Sequence, residues 1–143
     1  MWQYETTVVW KAEKEGRLHA GGNPEITVAT PPDFGGPHNT WSPEQLLTGA
    51  VGTCLMTSAL YFLDQEGVAV QSYMSNATGT MDRAREGLAF MGVSVEISIT
   101  VADEADVEKA RQAVLRAEKG CPVSKALHFP VRVHADIRCP GKE

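Results

Sequence analysis

The sequence predicts a mixed α+β domain, with strands at both ends of the chain and a long apolar helix between them. Three observations support this class: a β-rich start, an uncharged stretch over residues 45–63, and two strand-like stretches joined by a polar turn. A chain of 143 residues is about one ordinary domain. We therefore expect one domain over residues 1–143, with the element order β-β-β-α-β-β-α-β.

The strands at the start follow from local composition. Residues 4–10 are rich in β-branched and aromatic side chains, and residues 25–30 alternate polar with apolar ones, so both stretches predict strands. Gly16 predicts a turn between them. The prolines and glycines of residues 31–39 exclude regular structure, and we expect this longest loop to be a flap.

The long helix has clear start and stop signals. Ser42 is a good N-cap, Pro43 fits the first helical position, and Gln45 completes a capping box. The helix is expected to extend to about Glu66 and to end at Gly67. Its length raises the question of a membrane span, but its threonines and glycines favour a buried central helix. The 3.6-residue period predicts one buried face, formed by Leu47, Ala50, Val51, Cys54, Ser58 and Phe62.

Two strands, a second helix and a last strand complete the order. Residues 68–81 and 88–101 predict strands, and the charged, glycine-containing residues 82–87 suit a hairpin turn. Asp103 predicts the N-cap of the second helix, which Gly120 ends. The apolar positions of that helix are Val107, Ala110, Val114 and Ala117.

Two cysteines are the strongest candidates for chemistry. Cys121 precedes a proline and is expected to be the N-cap of a short helix over residues 122–127, before a last strand over residues 130–137. Backbone N–H groups at a helix start stabilise a thiolate, which is the reactive form of cysteine. Cys54, three turns into the long helix, needs a cation from another part of the fold. Alternatively, Cys54 is simply a small buried hydrophobe.

Composition excludes several classes of function. The 18 acidic and 13 basic residues give a net charge of −5, which opposes binding to nucleic acid. The odd count of three cysteines and the lack of a signal-peptide pattern favour the cytoplasm. The four histidines lack the spacing of a zinc site, so we expect neither a metal nor a cofactor. Cys139 lies in the tail, where disorder is common, and is expected to be a free thiol.

Two motifs resemble a known family. Residues 42–54 follow Ser-Pro-Glu-Gln-Leu-Leu-x-x-Ala-x-x-x-Cys, and residues 120–127 are Gly-Cys-Pro-Val-Ser-Lys-Ala-Leu. In combination they closely resemble the OsmC/Ohr family, the osmotically inducible and organic hydroperoxide resistance proteins. The resemblance also covers the element order, the Gly-Gly loop before the first motif and the chain length.

The resemblance implies a thiol-dependent peroxidase, built as an intertwined homodimer with two active sites at the subunit interface. Cys54 matches the peroxidatic cysteine and Cys121 the resolving cysteine, so a Cys54–Cys121 disulfide is implied. A dithiol, lipoyl-type in the family pattern, is expected to reduce it. The alternative is a noncatalytic stress or small-molecule-binding protein that keeps the fold.

The resemblance also assigns the groups around the thiol. Glu44 matches a glutamate that orients an arginine over the reactive sulfur, although a carboxylate in a first helical turn is also favoured by the helix dipole alone. Because ten positions separate it from Cys54, roughly 15 Å along a helix, either the helix breaks or Glu44 serves the partner subunit's site. Arg17 is the expected arginine, displaced by one or two positions from the family pattern, with Lys14 as the alternative.

Two aromatic residues flank the predicted flap. Phe34 and Trp41 are candidates for an apolar wall that binds the organic part of a substrate. Pinning the loop to the core is the commoner use of such side chains.

Overall fold

The structure is a computed structural model that describes residues 1–142. The chain divides into two compact units, Met1–Leu47 and Thr48–Glu143. Strands and long helices follow one another in the predicted order β-β-β-α-β-β-α-β, with a short helix before the last strand. The α+β class is therefore confirmed.

The first unit contains a small antiparallel sheet. Its strands are β1 (Thr7–Ala12), β2 (Glu15–His19) and β3 (Ile26–Ala29), and β2 lies in the middle. The side chains of β1 are all exposed.

The prediction of a turn at Gly16 was wrong. The β1–β2 turn lies at Glu13 and Lys14, and Glu13 takes the left-handed conformation with φ of 49°. Gly16 instead lies in β2 and is buried, paired with Trp10. A Cβ atom at this position would lie 2.7 Å from the carbonyl oxygen of Val9. The glycine is therefore required by the close approach of two strands.

The loop after β3 is more regular than expected. Pro32–Phe34 forms one turn of 3-10 helix, and Gly35 ends it at φ of 87°. At the far end of the loop the backbone N–H of Ala29 donates to the carbonyl oxygen of Trp41 at 2.9 Å. The loop is thus tied to β3 by its backbone.

Helix α1 (Pro43–Gln65) has the predicted start and end. The Ser42 hydroxyl oxygen accepts from the Gln45 N–H at 3.1 Å, and the Gln45 side-chain oxygen accepts from the Ser42 N–H at 3.1 Å. This is the reciprocal capping box. At the other end Gly67, with φ of 69°, and the Val68 N–H, 3.0 Å from the carbonyl oxygen of Leu63, close a Schellman turn.

The predicted buried face of α1 was right at Val51 but otherwise wrong by about one position. Ala50 is exposed, whereas Leu47, Cys54, Ser58 and Phe62 are only half-buried. The side chains that are buried are Val51, Leu55, Ala59 and Leu63, which are spaced by four. Since α1 is apolar on nearly every side, its period could not single out the face that packs on the sheet.

The second unit contains the larger sheet. Strands β4 (Val70–Ala84) and β5 (Gly87–Val101) form a long hairpin with a two-residue turn, and β6 (Val131–Arg138) lies parallel to β5. A parallel neighbour requires a crossover connection, which the second helix supplies. The strand pair and the alternation along β6 match the prediction.

The crossover contains two helices. Asp103 accepts from the Ala105 N–H at 3.0 Å and caps a 3-10 turn, which leads into α2 (Val107–Gly120). Cys121 then precedes the short helix α3 (Pro122–Lys125). Buried positions of α2 are Ala110, Ala113, Val114 and Ala117.

The core of the second unit lies between its sheet and its helices. Fully burying each Val, Leu or Ile side chain contributes roughly 1.5–3 kcal/mol. Helix α2 is further joined to the end of α1 by Arg116, whose guanidinium lies 4.4 Å from the Phe62 ring centre and 3.6 Å from the Glu66 carboxylate. The largest fully buried side chains are Leu55, Leu63, Ile97, Ile99, Val51, Val93, Val95, Val101 and Cys121.

Cys139 lies in ordered structure, contrary to the expectation for the tail. It follows β6 directly, is half-buried against the core, and its Sγ lies 3.7 Å from the carbonyl oxygen of Ala102. It is a free thiol, as expected.

Candidate active site

Cys54 and Cys121 meet in the second unit. Cys54 lies in the middle of α1 and Cys121 immediately before α3, and both belong to the same hydrophobic cluster. Both are free thiols, and the two sulfurs are close enough for each to shift the pKa of the other. Two residues 67 positions apart in the chain thus form a dithiol that can be oxidised to a disulfide.

Cys121 is buried and surrounded by hydrogen-bond donors. Its side chain is 0 % exposed. The Ser124 hydroxyl donates to Cys121 Sγ at 3.3 Å. Burial by itself raises the pKa of Cys121, but the Cys54 thiol, the Ser124 hydroxyl and the nearby backbone N–H groups of Val123 and Ser124 outweigh it and lower the pKa. None of these N–H groups makes a capping hydrogen bond to the sulfur. Cys121 is therefore the sulfur that carries negative charge first.

Cys54 is more exposed but less activated. Burial raises the pKa of Cys54, and the hydrogen bond to Cys121 raises it further, against the lowering effect of the Val123 N–H and the Ser58 side chain. The dithiol therefore loses its first proton mainly from Cys121. Because Cys54 is only half-buried, it is the sulfur that a substrate can reach.

Glu44 lies in the first turn of α1 and is half-buried. The helix continues without interruption from Pro43 to Gln65, so the possibility that it breaks between Glu44 and Cys54 is excluded. Their separation of roughly 15 Å along the axis prevents both side chains from holding one guanidinium within this helix.

Arg17 lies in β2 and forms an ion pair with Glu25 at 3.3 Å. Both side chains are about half exposed, and an exposed pair of this kind contributes little to stability. Lys14 is exposed in the β1–β2 turn, where its carbonyl oxygen accepts from the Thr30 N–H at 3.4 Å. Within the first unit, the side chain of Arg17 or of Lys14 can therefore turn toward another partner with little loss of stability.

The two aromatic residues of the loop expose their rings. Phe34 is 44 % and Trp41 is 52 % exposed. Since the backbone of Trp41 ties the loop to β3, its ring is not needed for that purpose. Both rings are therefore available for a substrate or another chain.

Two site residues were missed from the sequence, Ser58 and Ser124. Each follows a cysteine at a spacing that brings it back to the sulfur: Ser58 is four positions after Cys54 within α1, and Ser124 is three positions after Cys121 at the start of α3. That spacing was the signal that could have revealed them.

No metal site is present in the part of the chain that is described. Within residues 1–142, no group of three or more His, Cys, Asp or Glu side chains could hold a metal ion.

Known proteins share this arrangement of sheets and helices. The model of the OsmC-like protein family matches residues 36–136, and the chain belongs to this family. It is 20% identical to the uncharacterised protein YmaD of Bacillus subtilis over 126 residues, which are 85% of this chain and 84% of that protein.

Solved structures support the fold over nearly the whole chain. An OsmC-like protein of unknown function from Vibrio cholerae has a TM-score of 0.85 at 16% identity, covering 95% of this chain and 100% of that one. An organic hydroperoxide resistance protein from Legionella pneumophila has a TM-score of 0.75 at 19% identity, covering 96% and 97%. The family thus includes organic hydroperoxide resistance proteins as well as uncharacterised members.

Helix α1 is long and apolar enough, by length and composition alone, to cross a membrane. Only 28% of its most apolar stretch is buried within the chain.

Proposed function

We propose that this protein is a thiol-dependent peroxidase that reduces organic hydroperoxides to alcohols. The observation that carries the proposal is the pair of neighbouring thiols, in which a half-buried sulfur on α1 lies beside a fully buried sulfur with a lowered pKa. A complete peroxidase cycle needs a nucleophile that takes up the peroxide oxygen and a thiol that then releases this oxygen as water.

The reaction starts at Cys54. Its thiolate attacks the distal oxygen of the hydroperoxide, so that an S–O bond forms, the O–O bond breaks, and the alkoxide leaves and takes a proton to become the alcohol. Cys54 is then a sulfenic acid. The Cys121 thiolate attacks the Cys54 sulfur, a disulfide forms, and hydroxide leaves and becomes water.

A dithiol closes the cycle. One of its thiolates attacks the Cys54–Cys121 disulfide and its second thiol completes the exchange, so the dithiol is oxidised to a disulfide and both cysteines are reduced. A lipoyl-type dithiol fits the family pattern. No bound cofactor takes part, and the proposed location is the cytoplasm.

An organic substrate fits the surroundings of Cys54. That side chain packs among apolar neighbours, and the exposed rings of Phe34 and Trp41 are the proposed substrate wall. Apolar groups gain most from leaving water at such surfaces, so we expect a preference for organic over hydrogen peroxide.

The active form is proposed to be a homodimer. The exposed apolar side chains of α1, among them Leu60 and Tyr61, and those of β1 need a cover that a second copy can supply. In a dimer Glu44 can serve the site of the other subunit and orient Arg17 there. Sedimentation at micromolar concentration tests this, and a stable folded monomer would contradict it.

The decisive experiment compares cumene hydroperoxide with hydrogen peroxide as oxidants, with dithiothreitol as reductant. We expect steady consumption of both, faster with cumene hydroperoxide, and one disulfide between Cys54 and Cys121 when the reductant is omitted. Peptide mapping under non-reducing conditions identifies that disulfide.

A noncatalytic stress or small-molecule-binding protein is the second candidate. One observation favours it: burial and the neighbouring Cys121 raise the pKa of Cys54, which leaves little thiolate for attack. Peroxide consumption no faster than that of free dithiothreitol would support this candidate and overturn the peroxidase.

A further inference from the structure

The hydroxyl of Ser124 has a use that helix formation does not explain. It donates to Cys121 Sγ at 3.3 Å, although Cys121 makes no side-chain capping hydrogen bond to α3. Ser124 is half-buried and directed at a sulfur that is fully buried. The bond therefore serves the sulfur and not the helix.

We propose that Ser124 is a positioning residue for the second step of the reaction, holding Cys121 as a thiolate aimed at Cys54. The inference rests on the proposed function, and it adds a residue that acts on the resolving sulfur alone. Ser58, which interacts with Cys54, is its counterpart on the other side of the dithiol.

Burial makes this single hydrogen bond important. A thiolate at a 0 % exposed position has no water to solvate it, so its charge depends on protein donors. A hydrogen bond to a charged group is stronger than one between neutral groups. Ser124 approaches Cys121 with both its side-chain hydroxyl and its backbone N–H.

The bonds formed and broken in the second step show at which point the hydrogen bond from Ser124 has its effect. The Cys121 thiolate forms the S–S bond with its electron pair, the S–O bond of the Cys54 sulfenic acid breaks, and hydroxide leaves with the electrons of that bond. No proton has to leave Cys121 during this step if it is already ionised. Without the Ser124 hydroxyl, Cys121 is protonated at neutral pH more of the time and waits longer to react.

The first test measures the sulfur itself and needs no peroxide. In a background of Cys54→Ser and Cys139→Ala, the ultraviolet absorbance of the thiolate reports the titration of Cys121 alone. Ser124→Ala is expected to shift this titration upward by about one pH unit, equivalent to a tenfold loss of thiolate below the pKa. Ser124→Thr keeps the hydroxyl and is expected to titrate like the parent protein.

The second test measures the lifetime of the sulfenic acid. After one equivalent of cumene hydroperoxide, dimedone traps the Cys54 sulfenic acid in competition with Cys121. At neutral pH, Ser124→Ala is expected to lengthen the lifetime about tenfold, whereas Ser124→Thr leaves it unchanged. At alkaline pH, well above the ordinary thiol value of about 8.5, Ser124→Ala recovers the parent rate because the thiolate forms unaided.

The outcomes separate this role from a structural one. An unshifted titration in Ser124→Ala, or a lifetime lengthened equally at every pH, would overturn the proposal. If the unmodified protein proves unreactive toward cumene hydroperoxide, only the proposed peroxidase fails, because the titration still decides whether Ser124 stabilises the Cys121 thiolate.

Discussion

Helices α1 and α3 begin with the same pattern of residues, but the N-cap side chain has a different role in each. Residues 42–45 and residues 121–124 each place an N-cap residue before proline and a polar residue at the third helical position. In the first start, the Ser42 oxygen accepts from the Gln45 N–H at 3.1 Å and caps the helix. In the second, the Cys121 sulfur does not cap, and the Ser124 hydroxyl donates to it at 3.3 Å.

This difference shows how a helix start that usually stabilises structure can instead stabilise a reactive thiolate. An oxygen at the N-cap is committed to the backbone, whereas a sulfur there keeps its electron pair for reaction and gains charge stabilisation from the same donors. Cys54, in the middle of α1, has no free backbone N–H of its own turn. It is assisted by the Val123 N–H, so one helix start serves both thiols.

We expect the largest effect on activity from replacing the two cysteines. Cys54→Ser should abolish peroxide consumption, because a serine hydroxyl does not reduce a peroxide. Cys121→Ser should allow one turnover and then stop with a sulfenic acid on Cys54. This substitution also gives α3 the same N-cap residue as α1. Rapid-mixing kinetics and mass spectrometry measure both. A burst in Cys54→Ser and none in Cys121→Ser would reverse the assignment.

The cation proposed for Cys54 is the next test, since that sulfur lacks a helix start. Arg17→Ala should raise the pKa of Cys54 and slow its alkylation at neutral pH about tenfold, because an opposite charge nearby lowers a thiol pKa by a unit or more. Glu44→Gln should change the rate in the same direction but less, since it loosens the arginine without removing its charge. Alkylation rate against pH measures the effect.

Lys14→Ala is the matched control for Arg17. We expect its alkylation curve to coincide with that of the unmodified protein. An unchanged curve in Arg17→Ala together with a shifted one in Lys14→Ala would transfer the role to Lys14. No shift in either variant would favour the noncatalytic candidate.

Local signals made much of the fold predictable. Capping and glycine end signals act within four or five residues, so Ser42, Gln45 and Gly67 marked α1 almost to the residue. The buried face of α1 was not predictable, because an apolar side chain at Ala50 or Leu55 looks the same until the sheet packs against one of them. Gly16 was misassigned because a strand contact and a turn both call for glycine.

The candidate site was predictable only in part. The motifs singled out Cys54 and Cys121, but they did not show that one helix start serves both sulfurs. Ser58 and Ser124 look like ordinary polar residues in sequence, and their role depends on where α1 and α3 meet. The pair of Arg17 with Glu25 shows that a cation assigned from a motif still has several possible partners within the chain.

The smallest expected effect concerns the structural helix start. Ser42→Ala removes the oxygen that accepts the Gln45 N–H, from a residue that is only 3 % exposed, so it should lower the free energy of unfolding by about 1 kcal/mol. Thermal unfolding should shift down by roughly 3 °C. The Cys121 titration should not change, because this helix start supplies no donor to either sulfur.

Ser42→Thr is the control for this prediction, since it keeps an accepting oxygen and should recover most of the stability. If Ser42→Ala instead shifted the thiol titration, the two helix starts would not be independent, and the division between a structural start and a chemical one would be wrong.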